Sequence, residues 1–468
     1  MSELADQELL RLTADYAAQY RGSVAERPVA ATATIEELRE TLGGPLPEQA
    51  TDAEQVIAEL IAAAEPGVVP SGSGRFFGFV VGGALPAPLA ADWLTSTWDQ
   101  NAGLVVLGPS AAVVEEVSLG WLIELLGLPS GVSAAFVTGC QMAHVTALAA
   151  ARHHVLEAAG WDLARGGLQG APRISILVGE ESHVTVGRAL RYLGFGSDQI
   201  EAVATDEQGR MRPDALREAL ATTAGPTIVC AQAGDVNTGN FDALEEIADV
   251  VEGTGAWLHL DGAFGLWAAA SPRYRHLGAG ASRADSWATD AHKWLNVPYD
   301  SGLAFCAHPE AHRAAMSVHA SYLEQTDPDA ARDEMDWTPE FSRRARGFPI
   351  YAAIRSLGRQ GIAELVERCC GHAQRFAELL GAAEGVEVLN DVVLNQVLVR
   401  FGDDDGVTQE VVRRVQEDAT CWLSGTVWRG RAAMRISVSS WQTSDEDVAR
   451  SATAILEAVA AASARSVT

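Results

Sequence analysis

Apolar positions recur at helical spacing over residues 3–20, 34–42 and 53–64, ahead of Pro66 and the break Pro70-Ser-Gly-Ser-Gly, which predicts three short helices. Helices this short carry too little apolar surface for a core of their own. Residues 1–75 therefore read as an N-terminal helical arm laid on a neighbouring domain or a second subunit. The stretch Arg75-Phe-Phe-Gly-Phe-Val-Val-Gly-Gly mixes aromatics with glycines and has no clear period. Residues 89–98 and 111–126 then read as amphipathic helices, the second stopped at Gly127-Leu-Pro129.

From Ala134 the pattern changes to short apolar runs that do not alternate: 134–137, 174–178, 228–231, 257–260 and 303–306. Helical segments at 143–158, 186–193 and 244–252 fall between several of them. Strands apolar on both faces and interleaved with helices predict a mainly parallel sheet covered on both sides, the α/β class. Ligands of such sheets sit at the carboxyl ends of the strands. Thr138-Gly139-Cys140, Gly234-Asp235 and Asp261 all fall at such ends. Residues 318–341 are polar and acidic with little period, which suits a lid. Helical spacing returns at 350–357, 362–380, 408–418 and 445–461, with strands at 396–401 and 434–439, so residues 356–468 read as a smaller α+β C-terminal domain behind a large domain at 76–355.

Composition narrows the partners. The 468 residues are 48% hydrophobic, enough for a large core, and 62 acidic against 34 basic residues give a net charge of −28. A chain so acidic is repelled by phosphate backbones and anionic lipid, which argues against nucleic acid and membrane surfaces as partners. No apolar run is long enough to span a bilayer, and the first residues, Met-Ser-Glu-Leu-Ala-Asp, are acidic where a secretory signal is basic. The six cysteines have no zinc-type spacing, so no metal site is expected, and they suit a reducing cytoplasm.

Four constellations carry candidate chemistry. Lys293, in Asp290-Ala-His-Lys-Trp-Leu, is flanked by apolar stretches. Desolvation and a neighbouring cation such as His292 are expected to lower its pKa from about 10.4 and release an amine that condenses with an aldehyde. Asp261 ends the run Trp-Leu-His-Leu-Asp, where a buried carboxylate needs a cationic partner; a protonated pyridine nitrogen is one, with small Ala263 leaving room for a flat ring. His183, after the 174–179 strand, can stack on that ring. Val137-Thr138-Gly139-Cys140-Gln141 turns from strand into helix, and the free N–H groups there suit a phosphate. Taken singly, Lys293 also reads as a snorkelling surface lysine, Asp261 as a helix cap and His183 as a structural imidazole.

In this order the motifs resemble those of the pyridoxal-phosphate-dependent group II amino acid decarboxylases, from about Phe76 to at least Arg344. The resemblance implies a fold type I enzyme with a seven-stranded sheet, a homodimer, and a small-molecule amino acid substrate. It implies that Lys293 forms the Schiff base with pyridoxal 5'-phosphate, that Asp261 pairs with the pyridine nitrogen, and that His183 stacks on the ring. Ala263 would meet the opposite ring face, and Thr138, Gly139, Cys140, Asp290 and His292 would lie about the phosphate. Asp235 stands where a threonine is common, close to substrate, and Arg343 and Arg344 match an arginine pair after the mobile loop.

Two departures bear on the reaction. The phosphate turn here is Thr-Gly-Cys-Gln-Met-Ala rather than Ser-Gly-Gly or Ser-Gly-Ser followed by Glu-Ala-Asn. Where family members carry a loop tyrosine that returns a proton to the α-carbon, this chain has Glu334, and Tyr322 is the phenol of that region. The reading is decarboxylation of an L-amino acid to the amine and CO2, with Glu334, Tyr322 or Lys293 returning the proton. An aminotransferase or decarboxylation-coupled oxidative deaminase, and a catalytically silent cofactor-binding subunit, are the alternatives. Arg435 suits either a substrate carboxylate or an ordinary salt bridge.

Overall fold

The computed structural model describes residues 3–317 and 332–463. Its first elements are α1 (Glu3–Ser23), α2 (Ile35–Leu42) and α3 (Ala53–Ala64). A capping box, Thr34 with Glu37, starts α2, and the Asp52 side chain caps α3. Next come α4 (Pro86–Trp98) and α5 (Pro109–Leu126), each with proline in its first turn, where the missing N–H costs nothing.

The large sheet follows: β1 (Ser133–Val137), α6 (Cys140–Ala158), α7 (Leu163–Gly166), β2 (Ser175–Gly179), α8 (Val184–Tyr192), β3 (Ile200–Val203), α9 (Pro213–Thr222), β4 (Thr227–Gln232), α10 (Leu244–Val251), β5 (Trp257–Asp261), β6 (Ser286–Asp290), β7 (Gly302–Cys306) and α11 (Pro309–Met316). Strand order is β1-β7-β6-β5-β4-β2-β3. β7 runs antiparallel to both neighbours; the remaining pairs are parallel. The five apolar runs of the sequence are β1, β2, β4, β5 and β7, so the seven-stranded α/β sheet is as expected. The pattern missed β3, an edge strand with Glu201 and Ala202 exposed. It also missed β6, Ser-Trp-Ala-Thr-Asp, whose polar residues are all buried.

One row across this sheet positions the site. Ala135 of β1 lies beside Ala304 of β7, Ala304 beside Ala288 of β6, Ala288 beside Asp261 of β5, and Asp261 beside Gln232 of β4. These alanines cluster with Val137, Cys140 and Ala143, so nothing larger than a methyl holds the first turn of α6 off the sheet. Close approach of α6 is what brings Cys140 and His144 to the strand-end carboxylates.

The C-terminal part comprises α12 (Gly347–Gly381), β8 (Val386–Val388), β9 (Gln396–Phe401), α13 (Asp405–Asp418), β10 (Ser424–Trp428), β11 (Arg431–Ser437) and α14 (Asp445–Ser463). Its antiparallel sheet has the order β10-β11-β9-β8. The two predicted helices at 350–357 and 362–380 are the halves of α12, interrupted at Gly358, whose φ of 62° favours glycine. Buried Arg75 ties the N-terminal part to this region, donating to Thr420 O and, at 2.7 Å, to Ala25 O. The next residues, irregular in sequence, bond to strand neighbours: Phe77 N–H donates to Trp422 O and Ser437 N–H to Phe77 O. Among the described residues no helix is long and apolar enough to cross a membrane.

Candidate active site

The carboxyl ends of β1, β2, β5 and β6 and the start of antiparallel β7 meet at one end of the sheet, and there the chain gathers its candidate groups. Lys293 follows β6 by three residues, and its Nζ lies 3.1 Å from Asp290 Oδ2. It is the one lysine in the sequence. Its side chain is 18% exposed and stands 6.0 Å from the Phe264 ring centroid. The expected lowering of its pKa is corrected here: burial does act downward, but Asp290 and the other negative groups outweigh it and raise the ammonium above its ordinary value. In this state Lys293 is a charged partner of Asp290, and His292 Nε2 stands 3.4 Å from the same carboxylate.

Asp290 Oδ1 accepts the Cys140 N–H at 2.6 Å, so its carboxylate caps the amino end of α6, the anion position read from Thr138-Gly139-Cys140. Close packing makes glycine necessary nearby: a Cβ on Gly302 would sit 2.4 Å from Gly139 Cα, and one on Gly82 would sit 2.0 Å from Lys293 O. The period-free Arg75 to Gly83 stretch thus runs against the Lys293 backbone. Asn296 holds the turn after Lys293, accepting from Gly83 N–H and Trp441 N–H and donating to Trp294 O and Ser439 O. Its φ of 53° is a conformation that asparagine tolerates better than most side chains.

Asp261 is 5% exposed. Burial alone would raise its carboxyl, but His144, His183 and the Ala263 N–H, at 3.0 Å from Oδ1, outweigh burial and hold it well below the usual range. His144 Nε2 is 3.5 Å from Asp261 Oδ2, and Cys140 Sγ is 3.4 Å from that nitrogen. His144 was missed in the sequence, although it lies one helical turn beyond Cys140 on the same face of α6. Burial raises the Cys140 thiol well above its ordinary range, which keeps it protonated.

His183 caps α8, its Nδ1 2.7 Å from Thr185 Oγ1. Burial lowers its pKa although Asp261 pulls the other way, so its imidazole is neutral. Asp235 is at the turn after β4 and is occupied by that turn: its Oδ1 accepts from Asn237 N–H and Thr238 N–H, and Gln232 Nε2 donates to Oδ2 at 3.2 Å. Burial raises its pKa. Arg435 of β11 is buried, reaches Asn237 Oδ1 at 3.5 Å, and among the described residues leaves its Nε without a partner.

Glu334 is buried at the free edge of β1, where Arg332 Nε holds its carboxylate at 2.9 Å. Arg332 donates to Ala134 O, and Arg343 donates to Phe136 O and to Glu115. None of Glu334's hydrogen bonds reaches the Lys293 cluster; its charge belongs to the sheet edge. Arg344 of the arginine pair binds Asp92 of α4. Tyr322 and residues 318–331 lie outside the described residues.

A seven-stranded, mainly parallel sheet, with a lysine just past one strand and a carboxylate ending the strand beside it, defines a fold type I pyridoxal-phosphate enzyme. The pyridoxal-dependent decarboxylase conserved domain matches residues 36–401, and the chain belongs to that family. It is 25% identical to the aromatic-L-amino-acid decarboxylase of Bacillus atrophaeus over 464 residues, covering 95% of this chain and 94% of that protein. It is 32% identical to the acidic amino acid decarboxylase GADL1 of Bos taurus over 326 residues, 67% of this chain and 61% of that one. Its fold matches the crystal structure of Oryza sativa TDC with PLP and tryptamine at a TM-score of 0.92 and 23% identity, over 98% of this chain and 99% of that one. The chain is accordingly a pyridoxal-phosphate-dependent amino acid decarboxylase.

The residues present fit that cofactor. A single amine, a carboxylate held well below its usual range and an imidazole lowered by burial stand at the same strand ends, with small Ala263 beside the carboxylate. Among the described residues the Gln141 Oε1 and Ser301 Oγ atoms, beside the amino end of α6, are buried without partners.

Proposed function

We propose that this chain decarboxylates an L-amino acid to the amine and CO2 with Lys293, Asp261 and His183 as its working groups. Pyridoxal phosphate, when bound, supplies an aldehyde that condenses with amines and a protonated ring that takes up the electrons left at the α-carbon. Lys293 is the amine that holds it. Asp261 keeps the ring nitrogen protonated, a charge-assisted bond of about 1.5 to 3 kcal/mol. Neutral His183 gives one ring face a flat partner and Ala263 the other a small one. The amino end of α6, with Thr138, Gly139, Cys140 and His292, receives the phosphate, which requires Asp290 to yield the Cys140 N–H.

Arg435 orients the substrate carboxylate, with Asp235 bracing it from the turn after β4. Lys293, rather than the edge-bound Glu334, returns the proton. The observation that carries this reading is that the sole lysine of the chain is half-buried in one cluster with Asp290, His292 and Asp261. Pyridoxal phosphate with a panel of aromatic and acidic L-amino acids tests it. Equimolar CO2 and amine are expected; aldehyde or keto acid without amine overturns it.

We also infer a homodimer. An apolar groove between α1 and α4, lined by Ala14, Ala17, Leu89 and Trp93, together with exposed Leu94, Trp98, Val106 and Leu107 on and after α4, suits a second copy of the chain. Sedimentation at micromolar concentration reads this directly, and a single species of monomer mass would contradict it. All six cysteines are buried and free, in keeping with a cytoplasmic protein. We infer an arm at 1–75, a large domain at 76–355 and a small domain at 356–468.

A further inference from the structure

Behind Asp261 a line of buried polar side chains runs away from Lys293. His144 Nε2 is 3.5 Å from Asp261 Oδ2, and His144 Nδ1 is 2.9 Å from His259 Nε2. His259 Nδ1 is 2.9 Å from Ser286 Oγ, to which Trp257 Nε1 donates at 2.8 Å. None of His144, His259, Ser286 and Trp257 is more than 1% exposed. Bulk solvent does not reach an unmatched group there, so the direction of each bond matters.

The indole N–H is a donor only, and that fixes the rest. With one Ser286 lone pair taken by Trp257, the hydroxyl proton is free to donate to His259 Nδ1. His259 then carries its proton on Nε2 and gives it to His144 Nδ1. His144 carries its own on Nε2 and gives it to Asp261. Running the line the other way strands the Ser286 proton and turns a lone pair of His144 toward the carboxylate. Burial lowers the pKa of His259 to about 3, which keeps this imidazole neutral and the line intact. Cys140, 3.4 Å from His144 Nε2, does not disturb the order, because its thiol proton can point to Asp261 Oδ1 at 3.9 Å.

We propose that Trp257, Ser286 and His259 form a one-way hydrogen-bond line that locks His144 as an Nε2–H donor, making His144 a positioning residue that holds the Asp261 carboxylate charged for the cofactor's ring nitrogen. An N–H donor is suited to this, because it fills one lone pair of the carboxylate and leaves another for the ring nitrogen. The inference rests on the role proposed above for Asp261.

Two measurements test it. In the apoenzyme labelled with 15N-histidine, NMR is expected to find both His144 and His259 protonated on Nε2, with His144 losing that preference in Ser286→Ala. In the holoenzyme, His144→Leu is expected to keep one cofactor per chain, fixed to Lys293 by borohydride. Its kcat should fall at least about tenfold with KM changed by less than about twofold, and the ratio of the cofactor's absorption bands should shift. His144→Gln, which retains an N–H, should recover most of both. Ser286→Ala should move the same readouts less, and with the tautomer assignment it carries the test if His144→Leu does not fold. His144 protonated on Nδ1, or His144→Leu with the parent's spectrum and kcat, overturns the inference alone. A parent chain that forms no Lys293 adduct removes the Lys293 reading, and this inference falls with it.

Discussion

Two buried clusters of charge lie at opposite margins of the same strand, β1, and they do different work. Past its carboxyl end, Asp290, Asp261, Lys293 and the imidazoles face one another. Along its free edge, Arg332 and Arg343 face Glu334 and Glu115, the latter pair fully buried at 2.9 Å. The edge cluster answers a structural need. Among the described residues β1 has a neighbour on one side only, and the two guanidiniums bind the Ala134 and Phe136 carbonyls that a further strand would have bound. The Lys293 cluster satisfies little of the sheet backbone. Buried charge alone therefore does not mark a site; what marks it is buried charge that the fold does not consume.

Breaking the edge cluster should give the largest effect on stability. Arg343→Ala leaves Glu115 buried and unpaired, which is expected to cost about 3–5 kcal/mol in chemical denaturation while the Lys293 adduct still forms. A loss below about 1 kcal/mol would mean that the edge cluster is not holding β1. In the other cluster, Asp261→Asn should keep the cofactor and lower kcat roughly a hundredfold, about 2.7 kcal/mol, with denaturation changed far less. Unchanged turnover would remove Asp261 from the chemistry.

How much of this was legible follows the same division. Asp261 could be read because it closes a run of buried apolar residues, so that the fold-level rule about strand ends applied, whereas Asp290 and Lys293 were read from the Asp-Ala-His-Lys-Trp motif itself. His259 was legible in principle, two residues before Asp261 and so on its face of β5. β6 was not, because its Ser286 and Asp290 look like loop residues until their buried partners are known. The surroundings of Glu334 were not legible: its position in the chain suggested the chemistry of a loop tyrosine, whereas Arg332 binds its carboxylate beside a strand edge that is distant in sequence.

Acid sharpens the comparison, since each region also buries a neutral imidazole. Burial lowers His259 to about 3 beside the site, and lowers His312 to about 4 near the edge, where it bonds Ser133 Oγ and Trp337 O. A histidine with a depressed folded pKa contributes stability that is whole above its unfolded pKa, about 6.5, and is lost as pH falls from there toward the folded value. His312→Gln should therefore flatten the fall of stability between about pH 6 and 4 by about 1.4 kcal/mol per pH unit. Parallel urea-midpoint curves for parent and variant would show that His312 is not held neutral. The smallest effect belongs to Glu334→Gln: kcat should stay within about twofold of the parent, because an edge carboxylate moves no proton at the α-carbon. A fall of about a hundredfold or more would return Glu334 to the site.

The central claim is that the lone lysine is the cofactor's anchor, and intact-mass analysis after pyridoxal phosphate and borohydride measures it most directly. One reduced adduct per chain at Lys293, absent from Lys293→Ala, is the expected result. A parent chain that stays unmodified, or a Lys293→Ala chain that still gains the adduct, would contradict it.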